Sequence, residues 1–229
     1  KAVGESVDLP LKYYHNNLFS LVNILEGMKE NQISNLVFSS SCTVYGQPEI
    51  LPVSENAPVQ KAESPYGNTK QISEEIIFDT VNSSDIKGIA LRYFSPIGAH
   101  HTSIIGELPL GVPNCLMPYI TQTAIGIREQ LRVFGSDYNT PDGTAIRDYI
   151  HIEDLAKAHV IAVERMVNQK MKKGFEFFNI GTANNSRTVT IKNNEDNFSF
   201  DVSEMRDVWY KTSFLLDQKQ TANGLAQDR

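Results

Sequence analysis

Tyr66 and Lys70 stand four residues apart in Ser64-Pro65-Tyr66-Gly67-Asn68-Thr69-Lys70, downstream of an apolar run that ends in three serines, Leu36-Val37-Phe38-Ser39-Ser40-Ser41. On a helix, positions i and i+4 share a face, so a phenol and an ammonium can converge on one ligand. A cation beside a tyrosine favours the phenolate. It is expected to lower the pKa of Tyr66 and fit it for taking a proton near neutral pH. Taken alone, Tyr-x-x-x-Lys is a weak signal, because an exposed amphipathic helix can carry the same pair. The serine-ended strand and the Ser64 cap point to a site.

These side chains need a frame. Ser64 fits an N-cap and Pro65 the first helical position, so a helix is expected from Tyr66 to Asn82. Pro10 to Asn31 reads as another, with Leu18, Leu21, Val22, Leu25 and Met28 at core spacing. Leu116 to Gln130 and Ile152 to Lys170 read as helices too, the last with Asp154 near its start and Lys170 at its end, in keeping with the dipole. Strands are expected at Asn35 to Ser41, Gly88 to Phe94, Leu131 to Phe134 and Phe175 to Ile180. Gln47 to Ser64, Ser95 to Asn114 and Ser136 to Thr144 read as loops. Strands alternating with helices give an α/β class with a parallel sheet. From Asn184 onward the chain is polar and poorly periodic, and no function is assigned to it.

Composition narrows the partners. The 229 residues carry a net charge of −6, which argues against nucleic acid. No apolar run is long enough to span a membrane, and no signal peptide is evident. Cys42 and Cys115 make no disulfide framework and suit a reducing cytoplasm, the expected location. Asn-x-Ser at Asn82, Asn184 and Asn197 then reads as incidental. His100, His101, His151 and His159 are not spaced as metal ligands, so no metal is expected.

Further motifs run in order along the chain: Lys1-Ala-Val-Gly-Glu-Ser6, Tyr13-Tyr-His-Asn-Asn17, Ser39-Ser-Ser-Cys-Thr-Val-Tyr-Gly46, Ser64-Pro-Tyr-Gly67, Arg92-Tyr-Phe94, Pro96-Ile-Gly-Ala99 and Arg147-Asp-Tyr-Ile-His151. Together they resemble the UDP-glucose 4-epimerases of the extended short-chain dehydrogenase/reductase family. The resemblance runs nearly unbroken from Lys1 to about Thr182. It implies residues 1–182 as a partial NAD- and substrate-binding domain, with residues 183–229 as an unrecognised tail. The implied fold is a Rossmann-like, doubly wound parallel sheet with part of a smaller substrate domain. No Gly-x-Gly-x-x-Gly or Gly-x-x-Gly-x-x-Gly turn occurs in the 229 residues. The resemblance places that turn in about three βα units, of roughly 30 residues each, ahead of Lys1. The expectation is therefore a chain lacking its N-terminal glycine-rich half.

Roles follow from the resemblance, position by position. Tyr66 is the implied base for the sugar 4-hydroxyl, Lys70 the partner of the nicotinamide ribose, and Ser41 the bridge for the proton. Lys1, Asn16 and Phe94 match positions that contact NAD. Asn114, Leu116, Phe134 and Arg147 match the nucleotide-sugar side, Arg147 suiting the diphosphate. Ser41, Cys42 and Thr43 line the implied sugar pocket. Plainer roles stay open: Ser41 as a strand end, Phe94 and Phe134 as core, Arg147 as a surface partner of Asp148 or Glu153. Three positions depart from the family pattern: Ser95 and Cys115 stand where asparagine is usual, and Phe19 where glycine is usual.

Three functions compete. The first is an epimerase interconverting UDP-glucose and UDP-galactose through NAD, with the family suggesting a homodimer. The second, a nucleotide-sugar 4,6-dehydratase, needs an acidic pair after the serines, and Ser41-Cys42-Thr43-Val44 has none. The third is an inactive remnant or a weak nucleotide-sugar-binding fragment.

Overall fold

The computed structural model describes residues 3–102, 104–133, 135–141 and 143–181, and the backbone of Thr188–Lys192 and Asn197–Asp201. Lys1, Phe134 and most of the C-terminal tail lie outside these residues. The chain divides into two compact units. The first comprises Lys1–His100 and Tyr149–Ala183, the second His101–Asp148 and Asn184–Arg229. No helix among the described residues is long and apolar enough to cross a membrane.

The first unit is built on three parallel strands. β1 (Asn35–Ser41) pairs with β2 (Lys87–Tyr93), and β2 with β5 (Phe175–Ile180), giving the order β1-β2-β5. Helices cover both faces, as a parallel sheet requires. Leu36, Phe38 and Phe175 pack on one face with Leu21, Leu25, Met28, Ile77 and Ile86. Val37, Ile89, Leu91, Phe178 and Ile180 pack on the other with Ala162 and Met166. Strand side chains alternate, so neighbouring residues serve opposite cores. Burying each large aliphatic side chain is worth about 1.5–3 kcal/mol.

The helix over Pro10 to Asn31 is not one regular helix. It runs as α2 (Pro10–Tyr14), a π-helical turn (His15–Phe19) and α3 (Ser20–Glu30). Leu21, Leu25 and Met28 are buried as expected, whereas Val22 is 37% exposed. The extra residue in the turn rotates the faces ahead of it relative to those behind. A short α1 (Val3–Asp8) precedes it, without a sequence signal.

α4 (Pro65–Asn82) begins as the sequence suggests. The Gly67 N–H donates to Ser64 Oγ at 3.1 Å, and Pro65 opens the first turn. α6 (Ile152–Val167) stops short of Lys170: Gln169 has a left-handed φ of 53°, and the Lys170 N–H donates to the Arg165 carbonyl. That Schellman-type reversal satisfies the last carbonyls and leaves Arg165 as the cation of the final turn. Two three-residue strands, β3 (Ser95–Ile97) at the start of the expected 95–114 loop and β4 (Tyr149–His151), pair in parallel.

In the second unit α5 (Leu116–Ala124) is shorter than expected. Gly126 at φ +79° ends it, and the Ile127 N–H turns back to the Gln122 carbonyl. Residues 131–133 form no strand, because among the described residues they have no ladder partner. The tail contributes an antiparallel hairpin, β6 (Thr188–Lys192) with β7 (Asn197–Asp201).

Candidate active site

Ser41 is the last residue of β1 and the N-cap of a 3₁₀ turn, Cys42–Tyr45. Its Oγ accepts from the Thr43 N–H at 3.2 Å and from the Thr43 hydroxyl at 3.0 Å. Gly46 closes the turn at φ +61°, where a Cβ would lie 2.5 Å from the Lys61 carbonyl oxygen. Only glycine fits that approach. The turn therefore holds Ser41, Cys42 and Thr43 at the carboxyl end of β1, the end of a parallel sheet at which ligands bind.

Tyr66 enters from the first turn of α4. Its N–H donates to Ser6 Oγ at 3.1 Å, and its ring meets Tyr13 edge to face at 6.4 Å. Tyr13 in turn donates to Glu5 at 2.6 Å, Asn68 donates to Tyr14 at 2.7 Å, and Asn17 donates to Thr69 at 2.8 Å. These braces were not read as such from the sequence. The polar pattern Tyr13-Tyr14-x-x-Asn17 on one helical stretch was the available signal.

The Tyr66 hydroxyl lies in reach of the Ser41 side chain, which acts on its titration. Burial pushes the Tyr66 pKa up to about 12, Tyr93 adds to the rise, Ser41 opposes it, and Cys42 and Tyr13 add further. The expected lowering by Lys70 is thus not met. Lys70 is buried and donates its ammonium to the Ser39 carbonyl at 2.7 Å, lying 5.7 Å from the Tyr66 ring centroid and 4.8 Å from that of Phe38. Desolvation of the phenol outweighs a cation engaged elsewhere.

The structure brings Ser41, Cys42, Thr43, Tyr66 and Lys70 together within the first unit. Phe94 follows β2 directly, half-buried, its N–H donating to the Ile180 carbonyl at 3.2 Å. Asn16 is exposed on the π turn, and its neighbour Asn17 is the one that reaches α4. Asn114, Leu116 and Arg147 belong to the second unit. Asn114 is exposed, Leu116 opens α5, and the exposed Arg147 donates to the Ile146 carbonyl at 2.9 Å. Lys1 and Phe134 lie outside the described residues. Both cysteines are free thiols.

Fold and site define an α/β protein of helix-covered parallel strands with a Tyr–Lys–Ser cluster at their carboxyl ends. A family model described as "NAD dependent epimerase/dehydratase family" matches residues 1–181, and the chain belongs to that family. It is 52% identical over 192 residues to UDP-glucose 4-epimerase 2 of Arabidopsis thaliana, covering 83% of this chain and 54% of that protein. It is 51% identical over 183 residues to UDP-glucose 4-epimerase of Drosophila melanogaster, covering 80% and 52%. A crystal structure of UDP-glucose 4-epimerase from Bifidobacterium longum in complex with NAD+ and UDP superposes with a TM-score of 0.78 at 39% identity, covering 92% of this chain and 58% of that one. The chain spans about half the length of the curated relatives it matches.

Proposed function

We propose that this chain carries the acid–base residues of a UDP-glucose 4-epimerase, which interconverts UDP-glucose and UDP-galactose with NAD. The observation that carries the reading is the convergence of Ser41, Tyr66 and Lys70 at the carboxyl end of β1. The cluster also fits the cofactor. A buried ammonium beside a phenol presents donors suited to ribose hydroxyls at the end of a parallel sheet. When bound, NAD supplies the hydride acceptor, and then the donor, for sugar carbon 4.

The chain's own residues manage the proton. Tyr66 Oη takes the proton of the 4-hydroxyl, with Ser41 Oγ bridging, and returns it after the 4-keto sugar has turned over its other face. With a pKa of about 12 the phenol is neutral at pH 7. It becomes a base only once its own proton has passed to solvent, a loss that nearby positive charge favours. The Lys70 ammonium, 5.7 Å from the Tyr66 ring centroid, would supply that charge and would hold the cofactor's ribose when NAD is bound. Asn16, Phe94 and, outside the described residues, Lys1 belong to the NAD side of this reading. Asn114, Leu116, Phe134 and Arg147 belong to the nucleotide-sugar side. The homodimer and the cytoplasmic location go with the same reading.

Ser95 and Cys115 bear on affinity for the sugar nucleotide. Each lacks an amide at a position assigned to the substrate, and a partner left unpaired in a buried site costs about 1–3 kcal/mol. The test is conversion of UDP-galactose to UDP-glucose by the purified chain with added NAD. Tyr66→Phe should slow turnover by roughly 10²–10⁴-fold, the usual worth of general acid–base catalysis. Near-normal turnover in that variant would place the base elsewhere. The second reading, a non-catalytic fragment, is favoured by the coverage of about half of each relative. A folded chain that converts no sugar under these conditions would support it.

A further inference from the structure

A buried ion pair lies directly beneath the site. Ser40, Arg92 and Asn179 are register partners across β1, β2 and β5, so they form one row on the face that α4 covers. Ser40 is 0% exposed, Arg92 4% and Glu74 of α4 8%. Arg92 Nε donates to the two Glu74 carboxylate oxygens at 3.0 and 3.2 Å, and Nη2 donates to Oε2 at 2.5 Å. Glu74 Oε1 also accepts from the Ser40 hydroxyl at 2.5 Å. On its other side Arg92 Nη1 donates to the Tyr45 hydroxyl at 2.9 Å, and that hydroxyl donates to Asn179 Oδ1 at 2.7 Å. The guanidinium stacks 3.9 Å from the Phe177 ring centroid.

Ser40 immediately precedes Ser41, and Tyr45 ends the turn that follows it. One ion pair therefore grips both ends of the Ser41–Cys42–Thr43 segment. A buried pair of this kind adds little net stability, since desolvation offsets attraction. Its charge-assisted hydrogen bonds are directional, however, and fix the atoms they hold.

We propose that Glu74, held by Arg92, is a positioning residue that acts through Ser40 and Tyr45 to aim Ser41 at the Tyr66 hydroxyl. The inference rests on the proposed site but not on turnover. Loss of the Ser40 or Glu74 contact lets the strand end shift, and Tyr66 loses its Ser41 partner. The other ionisable groups facing Tyr66 are Lys70, Tyr93, Cys42 and Tyr13.

The test follows the phenol itself. The chain is produced with 3-fluorotyrosine, a more acidic phenol that brings the midpoint into reach. Its titration is read by fluorine NMR, the Tyr66 signal being the one lost in Tyr66→Phe. Ser41→Ala removes the Ser41 hydroxyl directly and should raise the midpoint by roughly half a unit to one unit, the worth of one hydrogen bond. Ser40→Ala leaves the Arg92–Glu74 contacts intact and should give an upward shift of the same size, as should Glu74→Gln. The double variant Ser40→Ala/Ser41→Ala should shift no further than Ser41→Ala alone. A merely structural pair would lower the melting temperature and leave the Tyr66 midpoint in place. An unmoved midpoint in folded Ser40→Ala, beside a shifted one in Ser41→Ala, overturns the inference. Should Glu74→Gln fail to fold, Ser40→Ala decides alone. An unmoved midpoint in Ser41→Ala sinks the inference and the Ser41–Tyr66 contact together. The expected shifts in the variants, beside a wild-type chain that converts no UDP-galactose, sink the proposed function and leave the inference standing.

Discussion

Tyr66 holds its proton at neutral pH because the fold desolvates it. The folded phenol titrates near 12, against an ordinary value of 10.0. Folding thus favours the neutral form. That contribution is fully present below pH 10 and is lost as the pH rises toward 12. Allowing for the partial exposure of the ring, the loss is roughly 2 kcal/mol. Denaturant titrations at about pH 9 and about pH 11.5 measure it, and Tyr66→Phe should remove this part of the alkaline destabilisation. Equal alkaline losses in parent and variant would mean that Tyr66 is not desolvated.

At the scale of the element, helix starts place the chemistry. Ser64 caps α4 one residue before Pro65 and two before Tyr66, with its Oγ accepting from Gly67. Ser64→Ala should cost about 1 kcal/mol of stability, read by chemical denaturation. It should also loosen the first turn that carries Tyr66. Unchanged stability would show that another group satisfies the Gly67 N–H. Cys115 is the opposite case. It stands at the N-cap of α5 and makes no side-chain capping bond. Cys115→Asn supplies the missing acceptor and should stabilise the chain by about 0.5–2 kcal/mol. A neutral or destabilising result would show that α5 is tied down without its cap.

At the scale of the molecule, the sheet order β1-β2-β5 leaves β1 with a single strand neighbour among the described residues. An unpaired strand edge is a template for pairing with another chain. The 229-residue chain produced by itself should therefore self-associate, visible as concentration-dependent elution in size-exclusion chromatography. A monodisperse monomer with a sharp thermal transition would show that this edge is protected.

The strand β1, the start of α4, β5 and the i, i+4 spacing of Tyr66 and Lys70 on one helix were legible in the sequence. Apolar runs, a Ser-Pro start and i, i+4 spacing are local signals, and local sterics and hydrogen bonds enforce them. The buried face of α4 was not legible. Gly67, Thr69, Lys70, Ser73 and Glu74 are buried there beside Ile77, and a hydrophobicity pattern cannot foresee polar residues turned inward. They are tolerated because partners distant in the chain satisfy them: Asn17 for Thr69, Ser39 for Lys70, Arg92 for Glu74. The ends of α5 and α6 followed left-handed residues, Gly126 and Gln169, rather than the fading of periodicity. The sign of the Tyr66 shift likewise belonged to the tertiary structure. Sequence placed a cation four residues from the phenol. Packing alone decided that the cation would be held by the Ser39 carbonyl and the phenol desolvated, because burial depends on what surrounds a group in space and not on its neighbours along the chain.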